Sequence, residues 1–476
     1  MRHLLPSLIL AALPTALLAQ SVRPGTEAML TGLDAKRASY GAVARKIWEY
    51  AEVGYQETRS SLLLQEQLRA AGFAVEAGVA EIPTAFVATW GSGKPVIAIL
   101  GEYDALPGLS QDAVPTRKIL LDGGPGHGCG HHLFGTASAA AAIAVKEWLR
   151  SQGKGGTIRF YGTPAEEGGG GKVYMVRAGL FQDVDAVVAW HPGDGNQVSR
   201  STSLANVSAK FRFHGLSAHA AAAPEQGRSA LDGVEAMNTM VNLLREHVPQ
   251  ETRIHYIITN GGKAPNVVPD FAEVYYYARH SDMRILDGIW NRIVDASKGA
   301  ALGTGTRVEL ELVNSVYNIL PNDYLADLAQ QALDRVGGVR YTAEERQFAE
   351  AIRGTLTGAV PPLGAEEKIL PAEVGVSSGS TDVGDVSWVV PTVQVSAATW
   401  VPGTPAHSWQ AVAAGGTSIG EKGMMVAAKA MALTTVELFS NPSHLTAARA
   451  EFAKRLDGFV YRNRIGDRKP PLDYRK

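Results

Sequence analysis

The stretch TIRFYGTPAEEGGGG, residues 157–171, changes character halfway: an apolar, β-rich run stops at Gly162, and a proline, two adjacent carboxylates and four glycines follow. The run reads as a buried strand over Thr157–Gly162, with the polar residues in the turn at its end. Outward from it, similar runs at Ala85–Trp90, Pro95–Leu100 and Ala186–Trp190 alternate with helical spacing at residues 33–50, 58–71 and about 135–150. This alternation predicts an α/β fold whose sheet is mostly parallel and flanked by helices.

The rhythm differs over residues 205–318. A strand (Ala205–Phe213) leads to a helix (Ser229–His247), two strands (Ile254–Gly261 and Phe271–Arg279), a helix (Ile285–Ala301) and a strand (Arg307–Val313). The order βαββαβ predicts a ferredoxin-like unit. It reads as an insertion, because strand and helix patterns like those of residues 20–204 resume at about 323 and continue to 442.

Composition sets the outer bounds. The 476 residues are 45% hydrophobic, enough for a large core in two or three domains, and 45 basic against 47 acidic residues leave a net charge of −2. That balance lacks the basic excess of a nucleic-acid or anionic-lipid binder. The single cysteine, Cys129, excludes an internal disulfide. Residues 1–19, MRHLLPSLILAALPTALLA, have the layout of a secretory signal peptide, with cleavage expected near Ala19 and a secreted or periplasmic mature protein. No span of the mature chain is expected to cross a membrane. Residues 443–476 are rich in Lys and Arg and read as a solvated helix with a loose end.

Metal-capable side chains collect just after the apolar strands, where open α/β sheets place their ligand sites. VIAIL is followed by Glu102 and Asp104, TIRFYGTP by Glu166 and Glu167, AVVAW by His191, and TVQVSAATW by His407. A further piece, GHGCGHH at 126–132, carries Cys129 and His131 ahead of a small-residue helix. Thiolate and imidazole both bind zinc-like ions, and a helix start is expected to ease deprotonation of Cys129. Two neighbouring carboxylates can divide their work, one holding metal while the other accepts a proton from a water.

Together with AEVGYQE (51–57), GEYDALPGLSQ (101–111), GLSAHAAAAPEQGRSALD (215–232), NVVP (266–269), STDVGDVSW (380–388) and PAHSWQ (405–410), these motifs run in order along nearly the whole mature chain. The set resembles the two-metal aminoacylase and carboxypeptidase superfamily that includes the auxin-conjugate amidohydrolases, and within it the aminobenzoyl-glutamate hydrolase branch of the B-subunit type. The resemblance implies two divalent ions held by Cys129, His131, Glu167, His191 and His407; by donor type Cys and His suit zinc, while the carboxylates also accept manganese, cobalt or nickel, so the metal stays open. The resemblance makes Glu166 the general base, Asp104 a residue that orients a ligand imidazole, and Asn266 and Arg279 substrate binders. It makes residues 205–318 a dimerisation and lid domain whose His219 reaches the partner's active site in a homodimer. Two departures stand out. Glu102-x-Asp104 replaces the more usual H-x-D, and His132 follows C-G-H where Asp or Asn is common. His127 lies near enough in sequence to serve as an extra ligand.

The activity implied is hydrolysis of the amide bond of an N-acyl or N-aroyl amino acid such as aminobenzoyl-glutamate. The alternatives are a dipeptidase or carboxypeptidase of the same family, an exported binding protein without activity, and a thiol hydrolase with Cys129 as nucleophile. Glu166 beside five candidate ligands weighs against the binding protein, and loss of activity to a chelator would separate the metal enzyme from the thiol hydrolase.

Overall fold

The computed structural model describes residues 23–475; the leader-like residues 1–19 lie outside them. Its strands, in chain order, are β1 (Ala74–Ala77), β2 (Phe86–Ser92), β3 (Val96–Gly101), β4 (Gly156–Gly162), β5 (Ala186–Gly193), β6 (Gln197–Ser199), β7 (Ala205–His214), β8 (Arg253–Asn260), β9 (Phe271–His280), β10 (Arg307–Val316) and β11 (Thr392–Ala398). They form two sheets. The larger has the order β1-β2-β4-β3-β5-β11-β6. Its inner strands β4, β3, β5 and β11 are mutually parallel, whereas β1, β2 and β6 pair antiparallel at the flanks. β3 is buried throughout, the mark of a parallel strand covered on both faces.

The helix His131–Ser151 packs on β3, β4 and β5 and against the helix Ser418–Ser440, which itself contacts β5 and β11. Its alanines 139–142 are all buried, so it meets neighbours on every side. It starts earlier than the apolar spacing indicated, because Gly130, at φ 74°, lets the chain turn into the helix at His131. The N-terminal helical pattern is two helices, Thr26–Ala35 and Arg37–Tyr50, broken at Lys36. Among the described residues Ser418–Ser440 is the one helix long and apolar enough to cross a membrane, and 89% of its most apolar window is buried inside the protein.

The second sheet is fully antiparallel in the order β10-β7-β9-β8, with the helices Ala230–Leu244 and Met283–Thr304, in the βαββαβ order read from the sequence. Its core is separate, built from residues such as Val207, Phe211, Phe213, Val274, Tyr276 and Trp290. β9 alternates strictly: Ala272, Val274, Tyr276 and Ala278 are buried, while Tyr275, Tyr277 and Arg279 take the other face.

The basic C-terminal region departs from expectation. After the helix Pro442–Leu456 the chain is not a loose end: it runs back over the protein, and Tyr474 Oη donates to the carbonyl of Glu167.

Candidate metal centre

Because β4, β3, β5 and β11 are parallel neighbours, their carboxyl ends lie side by side, and the residues that follow them share one mouth. Glu102 and Asp104 follow β3, Glu166 and Glu167 follow β4, His191 lies near the carboxyl end of β5, and the loop after β11 brings in His407. The His407 amide donates to the Gly128 carbonyl at 2.9 Å, which ties that loop to the segment carrying Cys129. Gly130 permits the closeness: besides its positive φ, a Cβ there would stand 2.7 Å from Pro192.

The donor atoms form two groups sharing the thiol. Cys129, His131 and His191 make one and Cys129, Glu167 and His407 the other, each with ligand atoms within 4.8 Å of one another. All five ligands expected from the motifs are thereby brought together. Cys129 Sγ is 3.4 Å from His191 Nε2, and His407 Nε2 is 3.3 Å from Glu167 Oε1. A third group joins Glu102, His131 and Glu166. Glu102, which the motif reading left outside the ligand set, stands 3.1 Å from His131 Nε2; its one signal in the sequence is its place in the pattern that usually reads H-x-D.

Asp104 serves both donor groups. Its Oδ1 accepts from His131 Nδ1 at 2.8 Å and its Oδ2 from the Glu167 amide at 2.9 Å, so it fixes the imidazole with Nε2 facing the site. Behind Glu102, the fully buried Lys172 sits 2.6 Å from its carboxylate and 2.7 Å from that of Asp382. Burial opposes the Lys172 ammonium, but Asp382 and Glu102 raise its pKa above the ordinary lysine value. Burial likewise opposes the His131 imidazolium, yet Cys129, Glu102 and Asp104 raise its pKa well above the usual value. Burial pushes Glu166 well up, and the carboxylates of Glu102, Glu167 and Asp382 add to it.

Burial also pushes the Cys129 thiol up, the reverse of the lowering expected from the helix start. The buried site outweighs the helix end, and a thiolate here depends on a cation close by. His131 Nε2 and Glu167 Oε1 are buried without a well-directed hydrogen bond. Thiolate, imidazole and carboxylate donors with such unsatisfied atoms fit divalent metal ions of the zinc and manganese kind.

His127 and His132 do not join them. His127 Nε2 pairs with the Ile47 carbonyl and His132 Nε2 with that of Gly415, both at 3.0 Å. Burial lowers both, His127 to about 3, so this pair is neutral and structural.

A cavity of about 820 Å³ opens over Cys129, Glu166, Glu167, His191 and His407, within the range of small-molecule sites. Its other wall is the uncovered face of the second sheet, with Asn206, Ser208, Tyr275, Tyr277 and Arg279, and hydroxyls from residues 199–203 and 377–381 complete it. Arg279, one of the expected substrate binders, therefore shares the cavity with the two donor groups. Tyr275, Tyr277 and Asn206 were missed, although the period of two along β9 puts both tyrosines on the face of Arg279. The other expected pair is elsewhere. His219 and Asn266 are exposed on adjoining loops, where the Ala220 amide donates to the Asn266 carbonyl, and neither lines the cavity.

Fold and site together define a metal-dependent hydrolase acting on carbon–nitrogen bonds, and comparison with known proteins agrees. The model of the peptidase family M20/M25/M40 matches residues 98–431. The p-aminobenzoyl-glutamate hydrolase B-subunit of Escherichia coli is 45% identical, over 90% of this chain and 95% of that one. The Xaa-Arg dipeptidase of Mus musculus is 31% identical, over 89% and 91%. Among solved structures, a Bacillus subtilis protein described as a dinuclear metal binding peptidase from the M20 family superposes with a TM-score of 0.59 at 18% identity, over 87% of this chain and 99% of that one. The chain belongs to the peptidase family M20/M25/M40, as the motifs implied.

Proposed function

We propose that the protein is an exported amidohydrolase that uses two divalent metal ions per protomer to cleave N-acyl or N-aroyl amino acids, p-aminobenzoyl-glutamate foremost. The observation that carries this reading is the cavity itself, with two donor groups sharing Cys129 on one wall and Arg279 on the other. The relative named for p-aminobenzoyl-glutamate supports the substrate, and the leader-like residues 1–19 support export.

Cys129, His131 and His191 would hold one ion, and Glu167 and His407 with Cys129 the other. When bound, such ions supply Lewis acidity that activates water and stabilises charge on the carbonyl oxygen. The chain's own residues do the rest. Glu166 takes the proton of the attacking water and passes it to the amine nitrogen as the amide bond breaks. Arg279 grips the carboxylate of the amino-acid half in bidentate fashion, and Asp104 keeps His131 in its working tautomer. His219 of a second copy donates to the oxyanion, which makes the working unit a homodimer through the inserted domain.

One feature favours a second reading. Glu373 lines the cavity among neutral hydroxyls, and its charge would suit a cationic residue, as in a dipeptide ending in arginine. A single panel separates the two. Protein stripped by a chelator and reloaded with zinc, manganese, cobalt or nickel is assayed on p-aminobenzoyl-glutamate, N-acyl amino acids and Xaa-Arg dipeptides, using periplasmic and cytoplasmic fractions. Metal-restored cleavage of the aroyl-glutamate in the periplasmic fraction is expected. Preference for the dipeptide would favour the second reading, and hydrolysis indifferent to the chelator would overturn both.

A further inference from the structure

The segment beyond the last helix has no part in the chemistry above, yet it ends on the peptide of a metal ligand. Arg177 Nη1 donates to the carbonyls of Gly466 and Arg468 at 2.9 and 2.6 Å. Arg468 in turn donates to the carbonyls of Leu312 and Val313 and, through Nε, to Tyr174 Oη at 3.0 Å. Those two carbonyls lie where β10 slips its register against β7. The next residue, Asn314, reaches the Gly168 carbonyl at 3.2 Å. Further on, Gln56 Nε2 holds the Leu472 carbonyl at 2.7 Å, and the Tyr474 ring packs edge-on against Tyr55 with centroids 5.5 Å apart. The segment finishes at the Glu167 carbonyl, which accepts from Tyr474 Oη at 3.0 Å and from Arg475 Nη2 at 2.8 Å.

Glu167 needs such support. It is followed by Gly168-Gly169-Gly170-Gly171, a run with little stiffness of its own, so ordering its carboxylate carries a high entropic cost unless neighbours hold the backbone. Asp104 holds the Glu167 amide and the strap holds the carbonyl of the same residue, so the peptide units on both sides of its Cα are fixed. The fit is close: a Cβ on Gly54 would stand 2.3 Å from Tyr474 Oη.

We infer that Tyr474 and Arg475 are positioning residues for the metal site, a strap from the end of the chain that sets the Glu167 carboxylate beside His407 and Cys129. Through Arg468 the strap also links the Glu167 loop to the edge strand of the inserted sheet. This rests on Glu167 being a metal ligand, as proposed above.

The test uses full-length protein with Tyr474→Phe, Arg475→Ala and both changes together. Zinc binding is measured by competition with a chromophoric chelator, alongside the melting temperature of the metal-free protein and kcat and KM. Removal of residues that support a ligand commonly costs about 10–100-fold in metal affinity. The double variant is expected to lose affinity in that range with metal-free melting temperature and KM unchanged, and Arg475→Lys is expected to keep more affinity than Arg475→Ala. Unchanged affinity in the double variant overturns the strap, as does a loss matched by destabilisation of the metal-free protein. A wild-type protein that binds no zinc or manganese would overturn the metal reading first and the strap with it, so the two failures are told apart.

Discussion

The mouth of the central sheet and the tip of the inserted domain both carry residues that the motifs tie to one reaction, and they are built in opposite ways. At the mouth, Glu102, Asp104, His131 and Lys172 are buried, each within reach of an opposite charge. At the tip, His219 is exposed, and its Nδ1 accepts from the amides of Ala221 and Ala222, which leaves Nε2 free to meet something else. The donor groups at the mouth come together within one chain, whereas His219 lies outside the cavity they line. Burial and pairing hold the mouth's groups in place from within, while the His219 ring is oriented only by its own loop and stays open to solvent.

Three experiments test this contrast. The largest effect is expected for Glu166→Gln, with kcat falling about 10²–10⁴-fold, the usual share of a general base, while metal content stays at the wild-type level. Substantial turnover in the variant would remove Glu166 from that role. Lys172→Met should leave Glu102 and Asp382 buried without their cation, at a cost of about 3–5 kcal/mol in denaturant unfolding. A loss below about 1 kcal/mol would mean that the mouth does not depend on its buried charges. His219→Ala should leave the melting temperature alone and lower kcat about 10²-fold, as for loss of one oxyanion donor. Mixed with Glu166→Gln, it should recover part of the activity, because one site of the mixed dimer then has both groups. No recovery in confirmed mixed dimers would rule out action across the dimer.

Much of the mouth was legible in the sequence because its chemistry is local. A strand run followed by Glu166-Glu167, or C-G-H ahead of a helix, places donors at a sheet end before the topology is known. Lys172 was not legible, since its partner Asp382 lies 210 residues away and only the packed fold joins them. The strap was hidden by its composition: a basic stretch looks solvated unless one sees that its arginines donate to backbone carbonyls rather than to water. The Cys129 thiol was misjudged because burial cannot be read from a helix start alone. The inserted unit was legible in outline, but the place of Tyr275 and Tyr277 emerged only when the face opposite their helices proved to be a cavity wall.

The order of the parallel strands also bears on how the protein matures. Glu102 and His407 share one sheet mouth although the inserted unit and much of the catalytic sequence lie between them. Contacts of such long range form late, after the loops between them have closed. A chain still being made holds Cys129 and His131 long before His407 exists. Metal capture by the proposed set would therefore follow closure of the sheet, and bound ions would then tie together segments that are far apart in the chain.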